Sequence, residues 1–427
     1  MIIQFPTPYP DELLYSVLGR YHIRSGNLYL KHTLDDLYCR RTVRATALLP
    51  SNIDALVGQL PQCTTLTADI FINQHTMFPF YTAFMPGNQK ELIYKAMKSN
   101  DGKGIHTQSG IVASMIPQNQ YFKYCPVCFQ EDLGHYGELY WHRMHQLPGN
   151  LICLKHESWL EDSTVLLQQS NPHGYILPTN ENCDLERKNL VNPELVAEFI
   201  PVISEMQTLL NQSFPHTSFS WLTDFYQKCL FESGYSTLKG HVRQKNLIKD
   251  FKLNYSLELF TFLNSTISSE ESWITSITRK HRKTFHPYHH ILLLHFLCKQ
   301  VKDVFKKTSL KVEPFGSPNW PCLNKVCSSY KVNVIKHVAI RTCERTRKPI
   351  GSFKCEECGF TYTRKGADKV SEDRFKISKV MNFGQVWEKE SNRLIGEGLS
   401  YREVGRRLGV DVGTVIKYGE DQKRNKL

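Results

Sequence analysis

Two sets of metal-ligand residues constrain this chain more than anything else in it. The first lies in YCPVCFQEDLGHYGELYWHRMHQLPGNLICLKHESWL, residues 124–160. Cys125 and Cys128 form a C-x2-C pair, and Cys153 and His156 form a C-x2-H pair 24 residues later. A two-residue gap lets both ligands of one knuckle reach the same ion, and a structural zinc takes four such thiolate and imidazole ligands in a tetrahedron. Pro126 inside the first pair predicts a tight turn at the knuckle. The second set is Cys322 and Cys327 (WPCLNKVC), followed 27 residues later by Cys355 and Cys358 (FKCEECGF). That spacing predicts a ribbon, two hairpin knuckles clamping one ion, with Gly359 supplying the positive φ that a knuckle needs. Two structural Zn(2+) ions per chain would order the loops around them with little apolar core, since such a site is worth about 10–16 kcal/mol of apparent folding energy in isolated fingers.

These sites also account for the cysteine usage. Seven of the 13 cysteines are ligands; Cys39, Cys63, Cys183, Cys229, Cys298 and Cys343 show no pairing pattern. Reduced thiols and a cytoplasmic protein are the expectation. The N-terminus MIIQFPTPYPDELL has no basic region followed by an apolar one, and no apolar run approaches a membrane span. A length of 427 residues predicts two to four domains.

Charge points to a polyanionic partner. The formal net charge is +12, and the excess is concentrated. Residues 279–311 hold nine Lys/Arg against one acid, and residues 331–365 hold nine against three. Such runs are often only solvated faces; here they sit beside a ribbon and aromatic residues, which favours nucleic acid.

In chain order, FPTPYPDELLYSVLGRYHIRSG predicts a helix capped by Asp11, with Leu13, Leu14, Val17, Leu18 and Tyr21 inward and Gly26 as its stop. Further helices are expected over Leu30–Arg40 and from a Ser51 cap to Leu60. Three short helices suit a helix-turn-helix and an ordinary helical domain equally. Residues 70–90 read as an extended arm or short helices. Residues 161–215 read as a polar connector with one helix over Pro193–Leu210. Beyond it, a basic loop of Arg279, Lys280, Arg282 and Lys283 leads into Pro287 and a helix to Leu297, placing cations where phosphates could meet a helix N-terminus. The histidines of HPYHH have no nearby carboxylate or cysteine in sequence, so no metal site is expected there. Trp141 reads as finger core, and His142 and His145 as surface or packing residues.

The sharpest nucleic-acid signal is SNRLIGEGLSYREVGRRLGVDVGTVIKYGEDQ. Ser400 and Glu403 form a capping box. Val404 and Leu408 fall on one buried face, Gly405 leaves room for a crossing helix, Gly409 makes the turn and Asp411 caps the next helix. Val415 and Tyr418 face inward. That leaves Val412, Thr414 and Lys417 toward a major groove, with Arg402, Arg406 and Arg407 on the preceding helix. A helix over Phe383–Ile395 completes the trihelical core.

At these residues the chain resembles a known family. FPTPYPDELLYSVLGRYHIRSGN, HTMFPFYTAFMP and GELYWHRMHQLPG between the two knuckles are similar to the TnsD/TniQ proteins, which select target sites for bacterial transposons. The C-terminal zinc unit and GLSYREVGRRLGVD resemble the family's long members. Leu154 stands where the family has a proline. The resemblance implies recognition of a chromosomal attachment site on double-stranded DNA, in the best-known branch the end of an essential sugar-phosphate aminotransferase gene. It also implies recruitment of a TnsC-type AAA+ ATPase that passes the target to the transposase, with Phe5, Pro6 and Tyr9 as candidate contacts. The competing roles are an adaptor docking on a CRISPR effector complex and a metal-dependent nuclease. No phosphate-binding loop, nucleophile set or converging carboxylates occur in the sequence, so a binding protein and not an enzyme is expected.

The expected fold is mainly α and multi-domain, with helix-turn-helix domains interleaved with two small zinc-binding units. The divisions are 1–110, an N-terminal helical region; 111–165, a CCCH finger; 166–315, a central helical DNA-binding region; 316–366, a four-cysteine ribbon; and 367–427, the C-terminal helix-turn-helix.

Overall fold

A computed structural model describes residues 2–424 apart from 112, 113, 115, 186–192, 266, 268–271, 307, 308, 317 and 347, with side chains described as far as Tyr418. The chain forms two compact units, residues 1–235 with 242–310, and residues 236–241 with 311–427. The first is mostly helical and the second mixes strands with helices, and each carries one ligand cluster. Among the described residues no helix is long and apolar enough to cross a membrane.

The first unit begins with α1 (Leu14–Ser25), α2 (Leu30–Tyr38), α3 (Ile53–Gln59), α4 (Ala68–His75), α5 (Phe78–Thr82), α6 (Gly87–Lys98) and α7 (Ile105–Gln108). Then come β1 (Tyr121–Tyr124), α8 (Pro126–Tyr136), β2 (Ile152–Cys153), β3 (Ser158–Trp159) and β4 (Glu161–Leu166). Helices α9 (Pro193–Asn211), α10 (Phe219–Glu232), α11 (Gln244–Asn254), α12 (Leu257–Phe262), α13 (Trp273–Ile277), α14 (Pro287–Phe296) and α15 (Val301–Val304) complete it. One apolar cluster runs from Ile2 to Val304.

Helix α1 buries Leu14, Val17, Leu18 and Tyr21 on one face and stops at Gly26, whose φ of 69° closes the helix. Asp11 is not its cap, contrary to expectation. Asp11 itself has φ 57°, and its carboxylate accepts from the Met144 amide (3.0 Å) while its carbonyl accepts from the Arg143 amide (2.6 Å). The acid ties the N-terminus to the segment between the zinc knuckles, a long-range demand that overrides the local capping preference. Ser51 likewise does not cap α3; Asn52, at φ 64°, occupies that position without a side-chain cap. Helix α2 ends at Tyr38 because Cys39 turns left-handed (φ 51°), two residues before the expected end at Arg40. Residues 70–90 are short helices, the second of the two alternatives.

The connector reading of residues 161–215 is corrected by the structure. Strand β4 pairs with β1, and the following loop is stitched to the core. Pro172 O accepts from Ala45 N (2.8 Å), Gly174 O from Tyr15 Oη (3.1 Å) and Ile176 O from Trp141 Nε1 (2.7 Å). Helix α9 is central: Phe199, Val202, Ile203, Met206, Leu209 and Leu210 are all buried, at i, i+3, i+4 spacing. It packs against α4, α5 and α14.

Helix α14 is buried over nearly its whole circumference, and its His289 and His290 are core residues, whereas His295 near its end is exposed. His290 Nδ1 lies 2.8 Å from Tyr226 Oη, with its ring stacked on Phe84. His289 stacks on Trp273 and meets Ser265. His281 lies parallel to Tyr226 and His290, buried, with neither ring nitrogen hydrogen-bonded. Burial lowers its pKa to about 4. A histidine that is harder to protonate folded than unfolded contributes stability fully above its unfolded pKa, near 6.5, and loses it as pH falls toward 4. In His281→Phe, which keeps the ring stack, the stability difference from wild type should therefore shift toward the variant by about 3 kcal/mol between pH 7 and 4. Urea melts of both proteins across that range check it. A constant difference would mean His281 titrates normally in the fold.

The second unit contains β5 (Trp320–Pro321), β6 (Asn333–Ile335), β7 (Val338–Thr342), β8 (Pro349–Lys354), β9 (Thr361–Lys365) and β10 (Lys379–Asn382). Three helices follow: α16 (Gly384–Gly396), α17 (Tyr401–Leu408) and α18 (Val412–Arg424). Strands β7 to β10 form one antiparallel meander in the order β10-β9-β8-β7, and β5 pairs with β6. Phe315, Trp320, Phe353, Phe360 and Tyr362 form the ribbon core, and Trp387, Leu394, Val404, Leu408 and Val415 the core of the three helices.

Candidate metal centres and nucleic-acid interface

The first cluster is built by a helix start and a hairpin. Cys125 stands at the N-cap of α8, Pro126 at its first position, and Cys128 within the first turn. Pro126 thus opens a helix, where its missing N–H costs nothing, and not merely a tight turn as its sequence context suggests. Cys153 ends β2 and His156 lies in the turn before β3. His156 Nδ1 is 3.4, 3.3 and 3.6 Å from the sulfurs of Cys125, Cys128 and Cys153, and the Cys128 and Cys153 sulfurs are 3.6 Å apart. These separations are close to the edges, roughly 3.5–3.8 Å, of a tetrahedron with zinc bond lengths. They are far too long for a disulfide. Hydrogen bonding to Cys125 and Cys153, together with burial, pushes the Cys128 thiol upward. Three buried sulfurs so crowded cannot all ionise without a cation among them, which is the charge logic of a metal centre. Glu131 Oε2 lies 3.1 Å from His156 Nε2, positioned to orient the ring from outside the cluster.

Sequence reading missed Glu131, although its signal was present: it follows Cys128 by three residues, so one helix face presents both. It also missed the surrounding polar frame. Arg143, 4% exposed, donates to Asn73 O (2.8 Å), Thr76 O (3.3 Å) and Asn211 Oδ1 (2.8 Å). His142 pairs with Asp132 at 2.6 Å and His145 is fully enclosed, so both serve packing and orientation around the knuckles.

The second cluster gathers Cys322, Cys327, Cys355 and Cys358, all buried, with their sulfurs within 4.8 Å of one another. Cys322 follows β5; Cys355 and Cys358 bracket the turn between β8 and β9. Gly359 has φ 74°, as the knuckle demands. Each cluster supplies four protein ligands, the closed set of a structural site, and both could hold zinc.

The candidate nucleic-acid residues fall in two places. In the first unit, Arg279, Lys280, Arg282 and Lys283 are exposed around the loop between α13 and α14, with Ser276 and Phe285 in the same shallow concavity. In the second unit, Ser400 Oγ accepts from the Glu403 amide (3.3 Å). The reciprocal half of the expected box is absent: Glu403 pairs with Arg406 (2.7 Å) and Arg407 (3.3 Å) instead. Gly409 takes φ 71°, and a Cβ on Gly405 would lie 2.9 Å from Val410 O. Asp411 Oδ1 accepts from the Gly413 amide (2.7 Å) at the start of α18. Val415 is buried and Tyr418 packs on Phe383 and Trp387. Lys417 is exposed, Val412 and Thr414 are half-exposed, and Arg402 is exposed on α17.

The candidate partner residues are integrated into the first unit. Pro6 is buried. Phe5 packs on Tyr21 and Phe71; Tyr9 packs on Tyr136 and Tyr140 beneath Arg20. The backbone there is extended, but it is not a free arm.

Comparison with known proteins divides the chain differently from the two compact units, the second match beginning within the first unit. A family model described as TniQ matches residues 3–160, and one described as Tn7-like transposition protein D matches residues 203–426. The transposon Tn7 transposition protein TnsD of Escherichia coli is 28% identical over 297 residues, covering 68% of this chain and 56% of that protein. The chain thus spans little more than half the length of that relative. With the second model covering half the chain, its ribbon and its last three helices included, the protein belongs to the TnsD family of Tn7-like transposition proteins.

Proposed function

We propose that this protein is a target selector in transposition. It binds a chromosomal attachment site as double-stranded DNA and recruits a TnsC-type AAA+ ATPase, and both clusters hold structural zinc. The observation that carries the reading is the geometry of α16–α18. A capped second helix, a left-handed glycine turn and a glycine at the crossing leave Val412, Thr414 and Lys417 outward on α18, the arrangement of a helix-turn-helix reading a major groove. Arg279, Lys280, Arg282 and Lys283 would neutralise phosphates, adding affinity without sequence information. Arg402, Arg406 and Arg407 would do the same beside the groove. The five-part domain division given above accompanies this reading, as does an ATPase contact along the outer edge of the Phe5–Tyr9 segment. Four-ligand closed clusters support a binding role, not catalysis. The adaptor role has no observation in its favour.

The test is selection of bound duplexes from a random library at physiological salt. One extended motif should be enriched. In the variant Thr414→Ala/Lys417→Ala the enrichment should flatten at the positions read by α18, since each base contact is worth about 1–3 kcal/mol, while binding to arbitrary duplex persists. An unchanged motif in that variant would remove α18 from recognition. No enrichment by folded, metal-replete protein would refute direct reading of DNA.

A further inference from the structure

We propose that the outer face of the β7–β10 sheet, on the ribbon, is a further DNA-contacting surface that binds the phosphate backbone. The inference rests on the DNA-binding reading above but on none of the residues used for it.

Strand alternation divides this sheet sharply. Toward the ribbon core point Gly351, Phe353, Tyr362 and Arg364, all buried, and Arg364 is held by Asp368 at 2.8 Å. The opposite face carries short side chains and cations. Cross-strand register places Arg341 opposite Ile350 and Ile350 opposite Lys365, in one row. The next row runs Ala339, Ser352, Thr363, Lys379. Arg341, Lys354, Lys365 and Lys379 are exposed, and none has a carboxylate partner among the described residues. Arg341 and Lys365, two strands apart, are separated by about 9–10 Å across the sheet.

The hairpin tip extends this charge. Residues 336–354 contain six Lys/Arg and one acid, Glu344, and Arg345 and Lys348 at the turn are exposed. Strand β7 is an edge strand with Ala339, Ile340 and Arg341 all exposed, so the ribbon projects there with little covering it. A face with Ala339, Ser352 and Thr363 in one row and cations without carboxylate partners around them fits a polyanion. Its one large apolar residue in these rows, Ile350, is half-buried between Arg341 and Lys365. The occupant we assign is the phosphate backbone of duplex DNA, because the surface offers charge without the bidentate geometry that would read a base.

The experiment compares full-length wild type with Arg341→Gln/Lys354→Gln/Lys365→Gln and with Lys354→Arg/Lys365→Arg. Each is titrated with one duplex of arbitrary sequence over a series of KCl concentrations. Losing three phosphate contacts should flatten the plot of log affinity against log salt by about 2–3 units. The arginine variant should keep the wild-type slope, since charge and not shape is used. Unchanged thermal melting and zinc content would show that the glutamine variant is folded. Wild-type binding with an identical slope in the glutamine variant would overturn the assignment of this face and leave the proposed function standing. Failure of wild type to bind any duplex would overturn both.

Discussion

Cys125→Ser should halve the zinc content, from two ions per chain to one, and unfold the whole first unit. Cys125 is fully buried and within 3.4 Å of His156. A serine there removes a thiolate and leaves the remaining thiols crowded around a weakened ion. Binding energy of a structural zinc, about 10–16 kcal/mol in isolated fingers, is comparable to the whole stability of a domain, about 5–15 kcal/mol. The knuckles are not an appendage: Asp11 and Arg143 join the segment between them to the N-terminal helix and to α9. Loss of the ion should therefore be felt by helices far from it. Cys355→Ser should remove the other ion and abolish cooperative melting of the second unit alone. Metal analysis of the purified variants, with limited proteolysis to see which half becomes cleavable, checks both. Two ions per chain in Cys125→Ser would mean that the fourth ligand is another residue.

Arg20→Met should destabilise the first unit by about 3–5 kcal/mol at neutral pH, the usual cost of leaving one partner of a buried ion pair alone. Arg20 is 2% exposed and reaches Glu12 (2.7 Å), which is fully buried, and Glu138 (2.8 Å). It also donates to Thr7 O (3.2 Å) and lies 3.8 Å over the Tyr9 ring. Burial already raises the Glu12 pKa to about 7, against the opposing pull of Arg20. Without Arg20 the carboxyl should be neutral over a wider range. The sign follows: a carboxyl with a raised folded pKa costs stability as pH rises above its unfolded value, and the variant lacks the cation that limits this. The gap between wild type and Arg20→Met should thus narrow as pH falls from about 8 to 5. Adding Glu12→Gln to Arg20→Met should recover part of the loss. Chemical denaturation of the single and double variants across pH checks this; a gap independent of pH would separate the defect from Glu12.

Legibility in the sequence followed the range of the interactions. The two ligand clusters could be read because zinc imposes short fixed spacings, and α16–α18 because caps and turn glycines act within a few residues. Helix α1 was legible in its apolar spacing but not in its start, since Asp11 answers to Arg143 and Met144, over 130 residues away. Helix α9 was seen as a helix, yet nothing local to Pro193–Asn211 reveals that α4, α5 and α14 converge on it. The Glu12–Arg20–Glu138 group was invisible because Glu138 lies 118 residues from Arg20, and all three look like surface charges until Glu12 is found fully buried. The basic face of the ribbon was seen only as a charge run. Which side of the strands each cation takes depends on register, and the inner side is marked by Gly351, where a Cβ would lie 2.6 Å from Phe315.

At the junction of the ribbon with α16, Gly384 sits at φ 78°, and a Cβ on it would lie 2.0 Å from Cys358 O and 2.7 Å from Gly359 C. Backbone meets backbone there, at the very loop that carries a metal ligand, so the tilt of the last three helices is set by the shape of that loop. A metal held by the ribbon cluster, as proposed, would therefore bear on the aim of α18. On the proposed reading, loss of the ribbon metal would release that loop, so the aim of α18 and its grip on DNA would be lost together with the fold of the ribbon.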